Sequence, residues 1–249
     1  MNLDRVIAER SNKTIYRDGD RCIKLFSADY SKADVMNEAL NQSRIEETAL
    51  SVPEVLEVTT NDGQWAIVSE YIEGKTLAQL MEENPEKKDE YIALLVELHL
   101  SVHSQKCLLL NKMKDTMSRK IISSELDANT RYDLNSRLDD VPKHNKVCHG
   151  DFNPTNVIIT DDGTPYIVDW SHAAQGNAAA DAALTYLSFR LAGDIDGANK
   201  YLDLFCEKSD TEKRYIRKWI PIVAAAQSVQ CDEKERDILL SWVNGPDFE

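Results

Sequence analysis

The 249-residue chain is predicted to be an α+β protein in two parts, a small antiparallel β-sheet with one helix over residues 1–72 and a larger, mostly helical part over residues 73–249. Three observations predict this. Through the first part, apolar residues come in short runs of high β-propensity separated by turn formers. From Thr76 onward they recur three and four apart, the spacing of a helix with one buried face. That rhythm is broken once, where two short apolar strands flank Asp161-Asp162-Gly163 and form a hairpin.

Residues 5–9, 14–17 and 21–26 read as a three-stranded meander, with Ser11-Asn12-Lys13 and Asp18-Gly19-Asp20 as its turns. Lys24 stands inside Cys22-Ile23-Lys24-Leu25-Phe26, where apolar neighbours give a lysine no packing reason to be. It is a candidate functional cation, and the bland alternative is a charge guarding an edge strand. A helix over 32–47 follows, then a hairpin of 55–60 and 65–71 turning at Asn61-Asp62-Gly63. Glu70-Tyr71-Ile72-Glu73-Gly74 is a polar, glycine-containing link to the helical part.

Leu77, Leu80 and Met81, then Tyr91, Leu94, Leu95, Leu98 and Val102, predict two helices. His99 and His103 have the i, i+4 spacing of a helical zinc pair, but Leu100 stands where a zinc protease carries its glutamate, so a core role is favoured. Residues 105–145 are polar and read as an irregular helical insertion. After Trp170, helices are expected over 178–192, 196–207, 211–229 and 232–243, with Gly193 and Gly245-Pro246 as stops and Asp232 with Glu235 as a capping box.

The stretch that carries chemistry is His149-Gly150-Asp151-Phe152-Asn153-Pro154-Thr155-Asn156, followed by the hairpin whose returning strand ends at Asp169. Two carboxylates and an amide oxygen are hard ligands and bases. Delivered to one point, they suit Mg²⁺ held on phosphates, with one carboxylate left to accept a hydroxyl proton. Turn formers in an ordinary hairpin would explain Gly150 and Pro154 but not the joint spacing.

With His149-Gly150-Asp151, Pro154 before Asn156, and Asp169-Trp170, the chain resembles the aminoglycoside phosphotransferase and choline kinase superfamily, which has a bilobal protein-kinase-like fold. The resemblance implies a nucleotide-binding lobe over residues 1–72 and a catalytic and substrate-binding lobe over 73–249. It makes Asp151 the catalytic base, Asn156 and Asp169 the metal ligands, and Lys24, oriented by Glu38, the phosphate lysine. Backbone groups of Glu70 and Ile72 would face the adenine edge. His149 and Asp181 would support the catalytic loop from behind. The turn Ser11-Asn12-Lys13 has no glycine where many kinases carry a glycine-rich loop, so a hydroxyl, an amide and an ammonium are its candidate phosphate contacts.

The implied activity is ATP- and Mg²⁺-dependent phosphoryl transfer to a small hydroxyl acceptor, with GTP as the alternative nucleotide. An aminoglycoside-like acceptor is slightly favoured over choline, ethanolamine, homoserine or a sugar; a regulatory pseudokinase is the reading from another class. A net charge of −14 opposes nucleic acid and anionic membranes as partners and suits a cationic substrate. Five scattered cysteines without a Cys-x-x-Cys pair, and a charged start without an apolar leader, predict a cytoplasmic protein. The oligomeric state is open, with a monomer compatible with everything above.

Overall fold

The structure, a computed structural model, describes residues 1, 3–10, 12–229 and 231–243. Its elements divide into two compact units, one of residues 1–83 and 154–173, the other of residues 84–153 and 174–249. The chain therefore passes from one to the other three times, and the hairpin expected within the helical part belongs with the sheet.

The first unit holds strands β1 (Arg5–Glu9), β2 (Lys13–Asp18), β3 (Arg21–Phe26), β4 (Val55–Asn61) and β5 (Gln64–Glu70), and helix α1 (Lys32–Glu46) between β3 and β4. The sheet order is β1-β2-β3-β5-β4, antiparallel throughout. Alternation sorts its side chains onto two faces. Ile23, Leu25, Ala66 and Val68 pack on one face with Leu3 and Tyr16. Phe26 and Ile67 pack on the other against Val35 and Ala39 of α1. Lys24 pairs with Ile67 across β3 and β5, so it shares the face covered by α1.

A second sheet in this unit was not foreseen as a sheet of three. Strand β6 (Lys75–Thr76) pairs with β8 (Val157–Ile159), which pairs with β9 (Pro165–Ile167). The two-residue strand is too short to leave a periodic signal, but Gly74 marks it. A Cβ there would collide with the Ile159 carbonyl oxygen, so only glycine permits this approach. The short helix α2 (Leu77–Glu83) closes the unit's first segment.

The second unit comprises α3 (Lys88–Ser104), α4 (Met113–Ser123), α5 (Ala128–Asp140), β7 (Lys146–Cys148), β10 (Ala174–Gly176), α6 (Ala178–Leu191), α7 (Ile195–Ser209), α8 (Lys213–Gln227) and α9 (Glu233–Val243). Helices α6 and α8 pack together, and both carry small buried side chains, Ala179, Ala180, Ala182 and Ala183 on one and Ala224, Ala225 and Ala226 on the other. Residues 105–145, expected to be an irregular helical insertion, contain the regular helices α4 and α5. Their buried stripe is narrow, Met113, Met117 and Ile121 against Leu134 and Leu138, which is why the composition looked like a solvated insertion.

Strands β7 and β10 form an antiparallel pair that the sequence reading did not contain. Of the capping box, the Asp232 half is present, its Oδ1 accepting the Glu235 amide at 2.9 Å. Gly245-Pro246 lies outside the described residues. All five cysteines are free thiols. Among the described residues, no helix is long and apolar enough to cross a membrane.

Candidate active site

In the first unit, the α1 face of the sheet carries a four-membered charge cluster. Lys24 is only 9% exposed, and its ammonium lies 2.7 Å from Glu38 Oε1 and 2.9 Å from Asp169 Oδ1. Burial alone would lower the affinity of this lysine for its proton, but Asp169 and Glu38 outweigh it and hold Lys24 well above the usual lysine range. It is a permanent cation. Glu38 sits on the buried side of α1. The helix is fixed over the sheet partly by Gln42, whose Nε2 donates to the Pro53 carbonyl at 2.7 Å.

Asp169 is set by the β8–β9 hairpin. The strands pair Val157 with Ile167, and the Val168 amide donates to the Asn156 carbonyl at 2.9 Å, so Asn156 and Asp169 stand at the same end of the ribbon. Asn156 ends a 3₁₀ turn, Pro154–Asn156, and is buried. At Asp169 the backbone enters the left-handed region, with φ +62°, and a second 3₁₀ turn, Trp170–His172, begins. The Trp170 indole, fully buried, donates to the Ile167 carbonyl at 3.0 Å and anchors that turn.

The fourth member is Lys13. Instead of standing at the tip of a turn, it is the first residue of β2, opposite Phe26, and so faces α1 as Lys24 does. Its ammonium is 3.3 Å from Glu38 Oε1 and 3.3 Å from Asp169 Oδ1. Sequence reasoning named Lys13 without placing it here. The available signal was the turn at Gly19 and Asp20, which pairs Asp18 with Arg21 and carries Lys13 to the face of Lys24.

Asn12 is half-buried, and its carbonyl accepts the Ser27 amide at 2.9 Å. Ser11 lies outside the described residues. Glu70 ends β5 with its amide donating to the Glu54 carbonyl at 2.9 Å, and Ile72 is buried just beyond it. The group that an Mg²⁺ ion would meet in this unit is a carboxylate with an amide side chain at one ribbon end. The donor chemistry fits: both are hard oxygens, and Asp169 Oδ1 already attracts two cations.

In the second unit the loop after β7 carries His149, Gly150 and Asp151. Gly150 has φ +84°, a conformation that glycine adopts without strain. The Asp151 carboxylate is half-buried and accepts from Asn153 Nδ2 at 3.0 Å, while its amide donates to His149 Nδ1 at 3.2 Å. Behind the loop stands Asp181, fully buried in the first turn of α6. Its Oδ2 accepts the His149 amide at 2.7 Å, and its Oδ1 accepts the Gly150 amide at 2.8 Å.

His99 and His103 converge on the same carboxylate from α3, with Nε2 to Oδ2 distances of 3.0 and 3.1 Å. Helix periodicity puts these histidines on one face, but only the tertiary fold reveals their acceptor. The trio is also close enough for a metal. However, Nε2 of each ring donates to Asp181, and the Tyr201 hydroxyl bonds His99 Nδ1 at 2.7 Å, which describes a hydrogen-bonded strut. His103 Nδ1 is buried without a partner among the described residues.

Burial pushes His99 down to about 3; neighbouring His103 adds to the fall and Asp181 opposes it. For Asp181, burial acts upward, but the hydrogen bonds from His103 and His99 hold it well below the usual carboxylate range. Unfolding restores His99 to an ordinary imidazole near 6.5. Its depressed folded value means that the unfolded chain takes up the extra proton between those limits. The stability this histidine contributes is complete above about pH 6.5 and is lost as pH falls, by up to about 1.4 kcal/mol per pH unit. Thermal unfolding of wild type and His99→Gln between pH 7 and 4 should show a shallower loss in the variant; parallel curves would exclude His99 as the source.

The sequence matches the phosphotransferase enzyme family over residues 5–217. No curated protein matches it. Among solved structures, aminoglycoside phosphotransferase APH(4)-Ia is similar at 16% identity and a TM-score of 0.72, covering 96% of this chain and 90% of that one. Choline kinase LicA from Streptococcus pneumoniae is similar at 16% identity and a TM-score of 0.63, with 96% and 94% covered. Aminoglycoside-3'-phosphotransferase of type VIII is similar at 17% identity and a TM-score of 0.64, with 90% and 92% covered. These likenesses bear out the α+β, kinase-like fold.

Proposed function

This chain belongs to the phosphotransferase enzyme family, and on that premise we propose that it is an ATP- and Mg²⁺-dependent kinase that moves the γ-phosphoryl group to a hydroxyl of a small, aminated molecule. The observation that carries the reading is the buried contact of Lys24 with both Glu38 and Asp169. A buried ion pair adds little stability compared with an apolar pair of the same size, so its arrangement at the end of a β-ribbon is better understood as preparation for polyphosphate. Solved complexes of similar proteins support the nucleotide: a thermostable mutant of APH(4)-Ia has been captured with ADP and hygromycin B, and LicA with AMP.

Each residue then has a role. Lys24, oriented by Glu38, neutralises charge growing on the phosphates; Asn156 and Asp169 would hold Mg²⁺, which would supply further charge neutralisation to the nucleotide. Backbone groups at Glu70 and Ile72 hold the adenine edge, and Asn12 and Ser11 add polar contacts to the phosphates. Asp151 orients the acceptor hydroxyl. The acceptor oxygen bonds to the γ-phosphorus as that atom's bond to the bridging oxygen breaks, ADP leaves, and the hydroxyl proton passes to the Asp151 carboxylate.

The acceptor class rests on charge. A chain at −14 attracts a cationic amine and repels an anionic sugar phosphate. Calorimetric titration with ATP in the presence and absence of Mg²⁺, followed by ADP release across aminoglycosides, amino alcohols, homoserine and neutral sugars, tests both levels. Mg²⁺-dependent ATP binding with turnover confined to amine-bearing alcohols is expected. Turnover of neutral sugars alone would overturn the acceptor class. ATP binding with no turnover on any acceptor would favour a regulatory protein, for which the glycine-free turn is the one supporting feature.

A further inference from the structure

We infer that Lys13 makes this site refuse a bare divalent cation and take one only together with a polyphosphate: its ammonium occupies Glu38 and Asp169 in the nucleotide-free protein and transfers to the phosphates when metal and nucleotide enter. The inference rests on the functional reading above and assigns Lys13 a different task from Lys24.

Two lysines share two carboxylates in the first unit, and the four formal charges cancel. They are not equivalent. Lys24 is held at 2.7 and 2.9 Å, in the middle of β3, with a neighbour strand on each side. Lys13 is held at 3.3 Å from both carboxylates, at the first residue of β2. The longer contacts and the strand-end position make Lys13 the member that can leave. Its four-carbon stem allows the ammonium to move without the backbone.

Both ammonium groups reach the same oxygen, Asp169 Oδ1. A metal ion arriving alone must compete for that carboxylate with two cations already on it, which like-charge repulsion makes unfavourable. A triphosphate changes the balance, because it brings more negative charge than one divalent ion offsets and gives the displaced ammonium a new partner. The turn before Lys13, with no glycine to bring bare backbone amides to the phosphates, leaves that place for a side-chain cation. The Lys13 ammonium is 6.0 Å from the Phe26 ring centroid, at the outer limit of a cation–π contact, which holds it only weakly.

The test reads binding directly. Wild type, Lys13→Met and Lys13→Arg are titrated with Mn²⁺ alone, followed by loss of the free-ion paramagnetic signal, and with Mg·ATP and AMP by calorimetry. In Lys13→Met, Mn²⁺ affinity should rise about tenfold while Mg·ATP affinity falls about tenfold and AMP affinity is unchanged. Lys13→Arg should restore both towards wild type. Asp169→Asn should remove the Mn²⁺ site in either background, which identifies it among the other acidic groups. Should the methionine variant fail to fold, Lys13→Gln serves in the same titrations. Mn²⁺ affinity that is unchanged or lower without the Lys13 charge overturns the inference, and so does equal weakening of ATP and AMP. If wild type binds no Mg·ATP, the kinase reading itself fails, whatever the Mn²⁺ titrations give.

Discussion

Replacing Asp151 with alanine is expected to lower turnover by about 10²- to 10⁴-fold, the range for loss of a positioned proton acceptor, with nucleotide affinity within a few-fold of wild type. The carboxylate is half-buried, and its neighbour Asn153 Nδ2 also reaches the Asp151 backbone carbonyl at 3.1 Å, so that amide keeps an acceptor when the side chain is removed. The fold should therefore survive, and the loss should appear in kcat with little change in KM for nucleotide. Asp151→Asn, which keeps the shape and loses the base, should be impaired to a similar degree. A steady-state ADP-release assay with the acceptor found by screening, together with calorimetric ATP titration, decides it. Unchanged turnover in either variant would exclude Asp151 as the base.

The second large effect is on stability. Asp181→Ala deletes a fully buried carboxylate that accepts from the His149 and Gly150 amides and from His99 and His103. The four donors would be left buried without their acceptor, each costing about 1–3 kcal/mol before relaxation. A net loss of about 3–5 kcal/mol is expected, as when one partner of a buried charged network is removed. Against a total of about 5–15 kcal/mol for an ordinary domain, this leaves a protein close to its unfolding threshold. Asp181→Asn should fall between, since it keeps one accepting oxygen but turns an amide towards a donor. Urea denaturation of the three proteins measures the difference. An unfolding free energy for Asp181→Ala within about 1 kcal/mol of wild type would show that the carboxylate is not the brace of the loop.

Much of this was legible in the residues because it depends on local rules. The turns at Asp18-Gly19-Asp20 and Asn61-Asp62-Gly63 and the alternation around Ile23 and Val68 give the five-stranded sheet within a residue or so at each end. Spacing names Asp151, Asn156 and Asp169 as candidates, and Lys24 stands out by its incongruity among apolar neighbours. What escaped depends on distance. Strand β6 is two residues long and is made by β8, some eighty positions later. Strands β7 and β10 exist only because the fold brings Cys148 to Ala174. His99 and His103 show their spacing in sequence but not their acceptor, which lies on another helix. Lys13 lies between the two cases: strand register places it beside Lys24, while its contacts with Glu38 and Asp169 belong to the tertiary structure.

The left-handed backbone of Asp169 restricts how its side chain can be interrogated. At φ +62° an alanine would add conformational strain of roughly 1 kcal/mol to the loss of the carboxylate, so an alanine scan would report two faults as one. Asparagine tolerates the same conformation and has nearly the same shape. It subtracts the negative charge alone, and at this position it is the cleaner surgical substitution.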